Sequence, residues 1–127
     1  MDREVSVDDG TCPVEAMLAV IGGKWKAVLI FHLSRDGTQR FAELRRKTPG
    51  ERVLIRQLRE LEADGVVARQ VFPEVPPRVE YSLTEYGQSL RPVTEAMCEW
   101  GKRHQSLVAM SPAAAHVDPA VSAGRAG

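Results

Sequence analysis

Thr48-Pro49-Gly50-Glu51-Arg52-Val53-Leu54-Ile55-Arg56-Gln57-Leu58-Arg59-Glu60-Leu61-Glu62-Ala63-Asp64-Gly65 is the stretch on which the fold turns. Leu54, Leu58 and Leu61 recur at helical spacing, the stripe that an α-helix lays against a core. At about 100° per residue, Arg52, Arg56, Arg59 and Ala63 fall on the opposite side, with Ile55 on the flank. Thr48 followed three residues later by Glu51 has the form of a capping box. The helix is therefore expected from about Glu51 to Asp64, opened by Thr48. Gly65 suits the position just past its end, where the chain turns through a left-handed conformation.

Toward the N-terminus, a short helix is expected at about Arg40–Arg46, with Phe41 and Leu44 inward and Arg45, Arg46 and Lys47 outward. Asp36-Gly37 marks a turn. Before it, Lys24–Ser34 is apolar almost all round and reads as the central buried helix, with His32 as a hydrogen-bonded core residue. Gly22-Gly23 closes an earlier helix opened by Cys12-Pro13, in which Val14, Met17, Leu18 and Ile21 keep helical spacing. Toward the C-terminus, Val66–Phe72 and Val79–Leu83 read as strands. Pro73-Glu74-Val75-Pro76-Pro77-Arg78 joins them as a stiff projecting loop with Arg78 at its tip. Thr84 caps a final helical region in which Leu90, Val93, Met97 and Trp100 keep spacing and Pro92 kinks or restarts the helix. Residues 1–11 are polar and expected to be loose. Residues 109–127, rich in Ala, Gly and Pro, have too little patterned apolar surface to order themselves. A single domain is expected over 12–108.

With 127 residues, 43% of them hydrophobic, the chain can bury a core without disulfides or metal. It has no apolar run long enough to cross a membrane, and its acidic start does not resemble a signal peptide. Lys plus Arg and Asp plus Glu are 17 each, a formal net charge of zero, which taken alone speaks against a nucleic-acid partner. The distribution reverses that reading. Arg40, Arg45, Arg46, Lys47, Arg52, Arg56 and Arg59 crowd one segment against Glu43 and Glu51. His32, His104 and His116 have no metal-ligand spacing with each other or with the cysteines, so neither metal nor cofactor is expected.

Helix, helix, short helix, turn, amphipathic helix, hairpin, helix is the order of a winged helix-turn-helix with outer helices: an α+β fold, mostly α, with a two- to three-stranded β wing. An α-helix fills the major groove of duplex DNA, where base edges carry distinct donor and acceptor patterns. Arg52, Arg56 and Arg59 would reach bases or flanking phosphates, and Arg40, Arg45, Arg46 and Lys47 are further expected DNA contacts. Arg78 would enter a neighbouring minor groove or grip its phosphates.

Five segments then carry a resemblance: Cys12-Pro13-Val14-Glu15; Ile21-Gly22-Gly23-Lys24-Trp25; Arg40-Phe41-x-Glu43-Leu44-Arg45-Arg46; Gln57-Leu58-Arg59-Glu60-Leu61-Glu62-x-Asp64-Gly65; and Pro76-Pro77-Arg78-Val79-Glu80-Tyr81-Ser82-Leu83-Thr84. In this order they resemble the HxlR family of bacterial winged helix-turn-helix regulators, over about residues 12–103. The resemblance implies a homodimer built from the terminal helices, reading a pseudo-palindromic operator in double-stranded DNA, usually as a repressor, with no catalysis. Val14, Met17 and Leu18 on the first helix, and Val93, Met97 and Trp100 on the last, are the expected dimer contacts. Family members usually carry a longer stretch, often with Ile-Ser, where this chain has Glu51-Arg52-Val53 before Leu54; Ile55 stands where they commonly have a threonine, which implies a methyl contact to thymine in place of a polar one.

Two cysteines far apart, Cys12 and Cys98, make neither a disulfide framework nor a zinc site, which suits a reducing cytoplasm. Cys12 stands immediately before the first helix, where unpaired N–H groups favour an anion. Some HxlR-type proteins sense electrophiles or oxidants through a cysteine at this place, so Cys12 is either such a sensor or a small packed residue. Cys98 reads as packing, and a bridge from it to Cys12 of a second subunit would need Cα atoms within about 7 Å. Two other readings stay open: a winged-helix module for protein contact, and a thiol enzyme, for which no base or oxyanion donor is evident.

Overall fold

The computed structural model describes Gly10 and residues 12–110. The loose leader expected before residue 12, apart from Gly10, and the tail beyond 110, with His116, lie outside the described residues. By its internal contacts the chain divides into two compact units, one running to Ser89 and the other beginning at Leu90.

The first unit contains α1 (Pro13–Ile21), α2 (Lys26–Asp36), β1 (Gln39–Arg40), α3 (Phe41–Arg45), α4 (Glu51–Ala63), β2 (Val67–Phe72), β3 (Arg78–Leu83) and α5 (Glu85–Gln88). The fold is the expected winged helix-turn-helix. Its core is the leucine stripe of α4 (Leu54, Leu58, Leu61) against Leu29, Ile30 and Leu33 of α2 and Leu44 of α3, all nearly inaccessible to solvent. Such side chains contribute on the order of 1.5–3 kcal/mol each on burial. The sheet order is β1-β3-β2, all antiparallel, with Gln39 opposite Tyr81 and Val67 opposite Leu83. Because facing residues share a sheet face, Val67, Tyr81 and Leu83 join the core together.

Several boundaries differ from expectation. α2 begins at Lys26 rather than Lys24, with Trp25 as its N-cap residue, because the turn through Gly23 at φ +90° must be completed first. Lys26 is buried and reaches Glu60 on α4 at 2.6 Å, tying the central helix to the amphipathic one. That ammonium, hydrogen-bonded to Glu60, holds the carboxyl below its ordinary value. Nor is His32 a satisfied core residue. Its ring lies against Phe31 with Nδ1 buried and unpartnered.

The largest correction concerns Thr48. The first residue outside α4 is Gly50, in extended conformation at φ −166°, and no side chain caps the helix. Thr48 instead closes the preceding turn, its hydroxyl donating to the Leu44 carbonyl at 3.3 Å. Pro49 and Gly50 set the helix start too late for Thr48 to reach it. The glutamate that does reach back is Glu43, which accepts the Arg40 N–H at 2.7 Å at the entry to α3. At the other end Gly65, at φ +78°, closes α4 as expected. Its N–H donates to Glu62, and that of Val66 donates to Leu61, the paired bonds of a Schellman motif.

Thr84 caps α5 through Gly87 N–H at 2.9 Å. Gly87 must lack a side chain because a Cβ there would collide with the Val66 carbonyl. In the second unit α6 (Arg91–Met110) is a single 20-residue helix. Pro92 sits in its first turn and so restarts the helix rather than kinking it. It ends two residues beyond the expected limit at 108.

Candidate nucleic-acid interface

Helix α4 carries the surface of interest. With its leucines turned inward, Arg52, Arg56 and Arg59 stand exposed along the outer face and Ile55 is half-buried beside them. Among the described residues none of these arginines pairs with a carboxylate. Like charges at this spacing repel, so the free helix carries a modest electrostatic cost that a polyanion relieves. Arg40, at the end of β1, and Arg46, just after α3, are likewise exposed and make no ion pair among the described residues.

Three other residues expected in this set are paired with the protein's own groups. Arg45 reaches across the helix-turn-helix turn to Glu51 at 3.5 Å. Lys47 donates to Gln39 Oε1 at 2.6 Å and pairs with Asp36 at 3.3 Å, while Gln39 Nε2 donates to the His32 carbonyl. Arg35 and Lys47 together hold the Asp36 carboxyl below its ordinary range. Arg78 is not at a loop tip. It is the first residue of β3, opposite Phe72, with its guanidinium 3.8 Å from that ring's centre. Glu74 at 2.8 Å and Glu80 at 2.7 Å neutralise it. The tip is Val75, which is 99% exposed. The proline-rich linker suggested a projecting arginine; the cross-strand register brings Arg78 back over the hairpin instead.

One cation was missed. Arg69 on β2 faces Tyr81 across the ladder and is exposed and unpaired among the described residues. The period-two alternation Val67, Arg69, Val71 held the signal, for it sets Arg69 on the same sheet face as the core residue Val67.

Of the expected dimer contacts, Val14 and Leu18 on α1 are more than half exposed and Met17 is half-buried. On α6, Val93 is half-buried, and Met97, Trp100 and Leu107 are exposed, with Trp100 stacked on His104 at 5.3 Å. Val93, Met97, Trp100, His104 and Leu107 recur at spacings of four, three, four and three. Cys12 is the exposed N-cap residue of α1, its carbonyl accepting the Ala16 N–H, and Cys98 is half-buried on α6. No cluster of His, Cys, Asp or Glu among the described residues could hold a metal ion. No helix among them is long and apolar enough to cross a membrane.

An arginine-faced helix behind a tight helix–turn, flanked by a hairpin wing, defines a winged helix-turn-helix transcriptional regulator, a DNA-binding protein and not an enzyme. The chain belongs to the HxlR-like helix-turn-helix family, which matches residues 20–108. It is 54% identical over 99 residues to YybR of Bacillus subtilis, an uncharacterized HTH-type transcriptional regulator, covering 76% of this chain and 78% of that one. An HTH-type regulator of Methanothermobacter thermautotrophicus is 50% identical over 101 residues, 78% of this chain and 76% of that protein. Among solved structures, the redox regulator HypR in its reduced form matches with a TM-score of 0.71 at 50% identity, over 78% of this chain and 99% of that one. Diamide-treated YodB from B. subtilis matches with a TM-score of 0.58 at 36% identity, over 74% and 95%.

Proposed function

We propose that this chain is a homodimeric repressor that places α4 in the major groove of a pseudo-palindromic operator. The observation that carries the reading is the outer face of α4, where Arg52, Arg56 and Arg59 project beside Ile55 with no ion pair among the described residues. Arg56, at the middle, suits a base edge, and Ile55 suits a thymine methyl. Arg40 and Arg46 suit flanking phosphates. Arg45, Lys47 and Arg78 support this surface through their internal pairs. Footprinting on the DNA upstream of the protein's own gene tests the assignment. Arg56→Ala is expected to weaken specific binding by about 1–3 kcal/mol, and an unchanged footprint would exclude α4 from the groove.

The dimer is supported by the 4-3-4-3 apolar stripe of α6, the spacing of a helix–helix seam, and by exposed Val14 and Leu18 on α1. Two recognition helices related by a two-fold axis would read half-sites about 34–36 Å apart. Sedimentation of wild type and Trp100→Glu checks this, with a monomeric variant expected.

Cys12 is proposed as the point at which an electrophile or oxidant acts as inducer. Its sulfur belongs to an exposed residue at a helix start, and two structural relatives, HypR and YodB, are a redox regulator and a diamide-treated regulator. Cys12→Ser should keep the operator bound under a quinone or oxidant that releases the wild type; equal release would remove Cys12 from the mechanism. A DNA partner and a free thiol suit the cytoplasm.

A further inference from the structure

Between the wing and the helix-turn-helix lies a cleft of about 800 Å³, within the range of small-ligand sites. Its floor is apolar and partly aromatic, made by Phe41, Ile55, Val79 and Tyr81, with the Phe41 and Tyr81 rings 6.5 Å apart and tilted. The wing loop around Val75 and Pro76 forms a wall. Arg59 from α4 and Arg69 from β2 line the cleft from two separate elements, whereas Arg40, at its edge, lies on the other sheet face opposite Glu80. Neither Arg59 nor Arg69 pairs with a carboxylate among the described residues. Two acids also line it. Glu74 is engaged by Arg78 at 2.8 Å, which leaves Glu62, among the described residues, as the uncommitted negative charge against the Arg59 and Arg69 guanidiniums.

We propose that this cleft binds a small aromatic carboxylate, its two oxygens held by Arg69 and Arg59 and its ring lying on Phe41 and Tyr81. Both halves of the ligand follow from the lining. Planar guanidinium forks match a carboxylate, and two of them with only Glu62 to balance them are stabilised by an anion. A bare phosphate would satisfy the arginines yet leave the apolar floor wet, whereas an uncharged ring would leave the cations uncompensated. Arg59 and Ile55 belong both to this cleft and to the outer face of α4. An acid that occupies Arg59 therefore opposes DNA, and linkage requires DNA to oppose the acid by the same factor. That opposition rests on the proposed DNA-binding role; occupancy of the cleft does not.

The probe is 2-naphthoate, titrated into the isotope-labelled full chain without DNA, with 2-naphthamide and inorganic phosphate as parallel arms. Saturable shifts are expected at the backbone amides of Phe41, Arg69, Val79 and Tyr81, with the uncharged amide binding at least about tenfold more weakly. Arg69→Gln, a change at an exposed strand position, should weaken naphthoate about tenfold while the remaining amide resonances keep their positions. Equal binding of naphthamide, undiminished binding by Arg69→Gln, or shifts confined to α1 or α6 would overturn the site. Phosphate reproducing the naphthoate shifts would overturn the aromatic acid and mark a phosphate-binding cleft. In a second measurement naphthoate should weaken binding to the upstream DNA by wild type and have little effect on Arg69→Gln. Unchanged DNA affinity with the cleft occupied would overturn the coupling. A chain that binds no DNA defeats the proposed function and leaves the titration to decide the cleft.

Discussion

The Arg45 guanidinium lies 3.5 Å from the Glu51 carboxylate, joining the last residue of α3 to the first of α4 across the turn between them. Both side chains are about half exposed, so the pair adds little to stability. Its importance is electrostatic, since Glu51 is a negative charge at the leading end of the helix proposed to enter DNA. Arg45 masks that charge and is itself masked. Glu51→Gln should therefore free a cation and remove an anion together. Binding to duplex DNA is expected to tighten, and the slope of log K against log salt to steepen by about one. An unchanged slope would mean that this end of α4 lies away from the backbone.

Arg78 leads to the opposite expectation. Its guanidinium is held by Glu74 and Glu80 and stacked on Phe72, with its side chain only 25% exposed. Replacing it should loosen the wing and unmask Glu74 and Glu80, but it should remove no phosphate contact, since the guanidinium is already engaged by those carboxylates. Arg78→Gln is expected to cost about 1–2 kcal/mol in denaturant unfolding. Its DNA salt slope should match the wild type. A slope lower by a full unit, with stability intact, would show that Arg78 leaves its carboxylates for phosphate.

Lys26 and Glu60 form an asymmetric pair, the lysine side chain 11% exposed and the glutamate 48%. Removing the glutamate strands a buried ammonium; removing the lysine leaves a carboxylate that water can solvate. Glu60→Ala should therefore lower Tm more than Lys26→Met, whose methionine refills the apolar channel. The reverse order in thermal melts would show that the lysine stem, rather than its charge, is what the site needs.

What the amino-acid sequence revealed here, and what it hid, follows the range of the interactions. The leucine stripe and arginine face of α4 were legible because both depend on residues within one helix. So was Gly65, whose left-handed turn is a local requirement. Thr48 misled because a cap is defined by where the helix starts, and Pro49-Gly50 delays that start. The two-residue strand β1 is too short to carry a pattern and exists because β3, some forty positions later, supplies its partner. The pairs that engage Lys47 and Arg78 are likewise made between elements or across the hairpin, so local pattern had placed Lys47 on an outward helix face and Arg78 at the tip of a proline-stiffened loop.

His32 ties stability to pH in a window of its own. Burial lowers its pKa from 6.5, and the nearby Lys47 and Arg35 cations push the same way against Asp36. The folded chain thus takes up a proton at lower pH than the unfolded chain does. Above the unfolded value the full stability is present. As pH falls below about 6.5 the unfolded state binds the proton first, and stability is lost until the folded ring also titrates. Asp36 and Glu60 have depressed values as well, so their contributions disappear only at more acid pH, as carboxylates begin to protonate. Urea midpoints at pH 7.5 and pH 5.5 separate the windows: wild type should fall between them, and His32→Asn should fall less. An equal fall in both would assign the acid sensitivity to groups other than this buried ring.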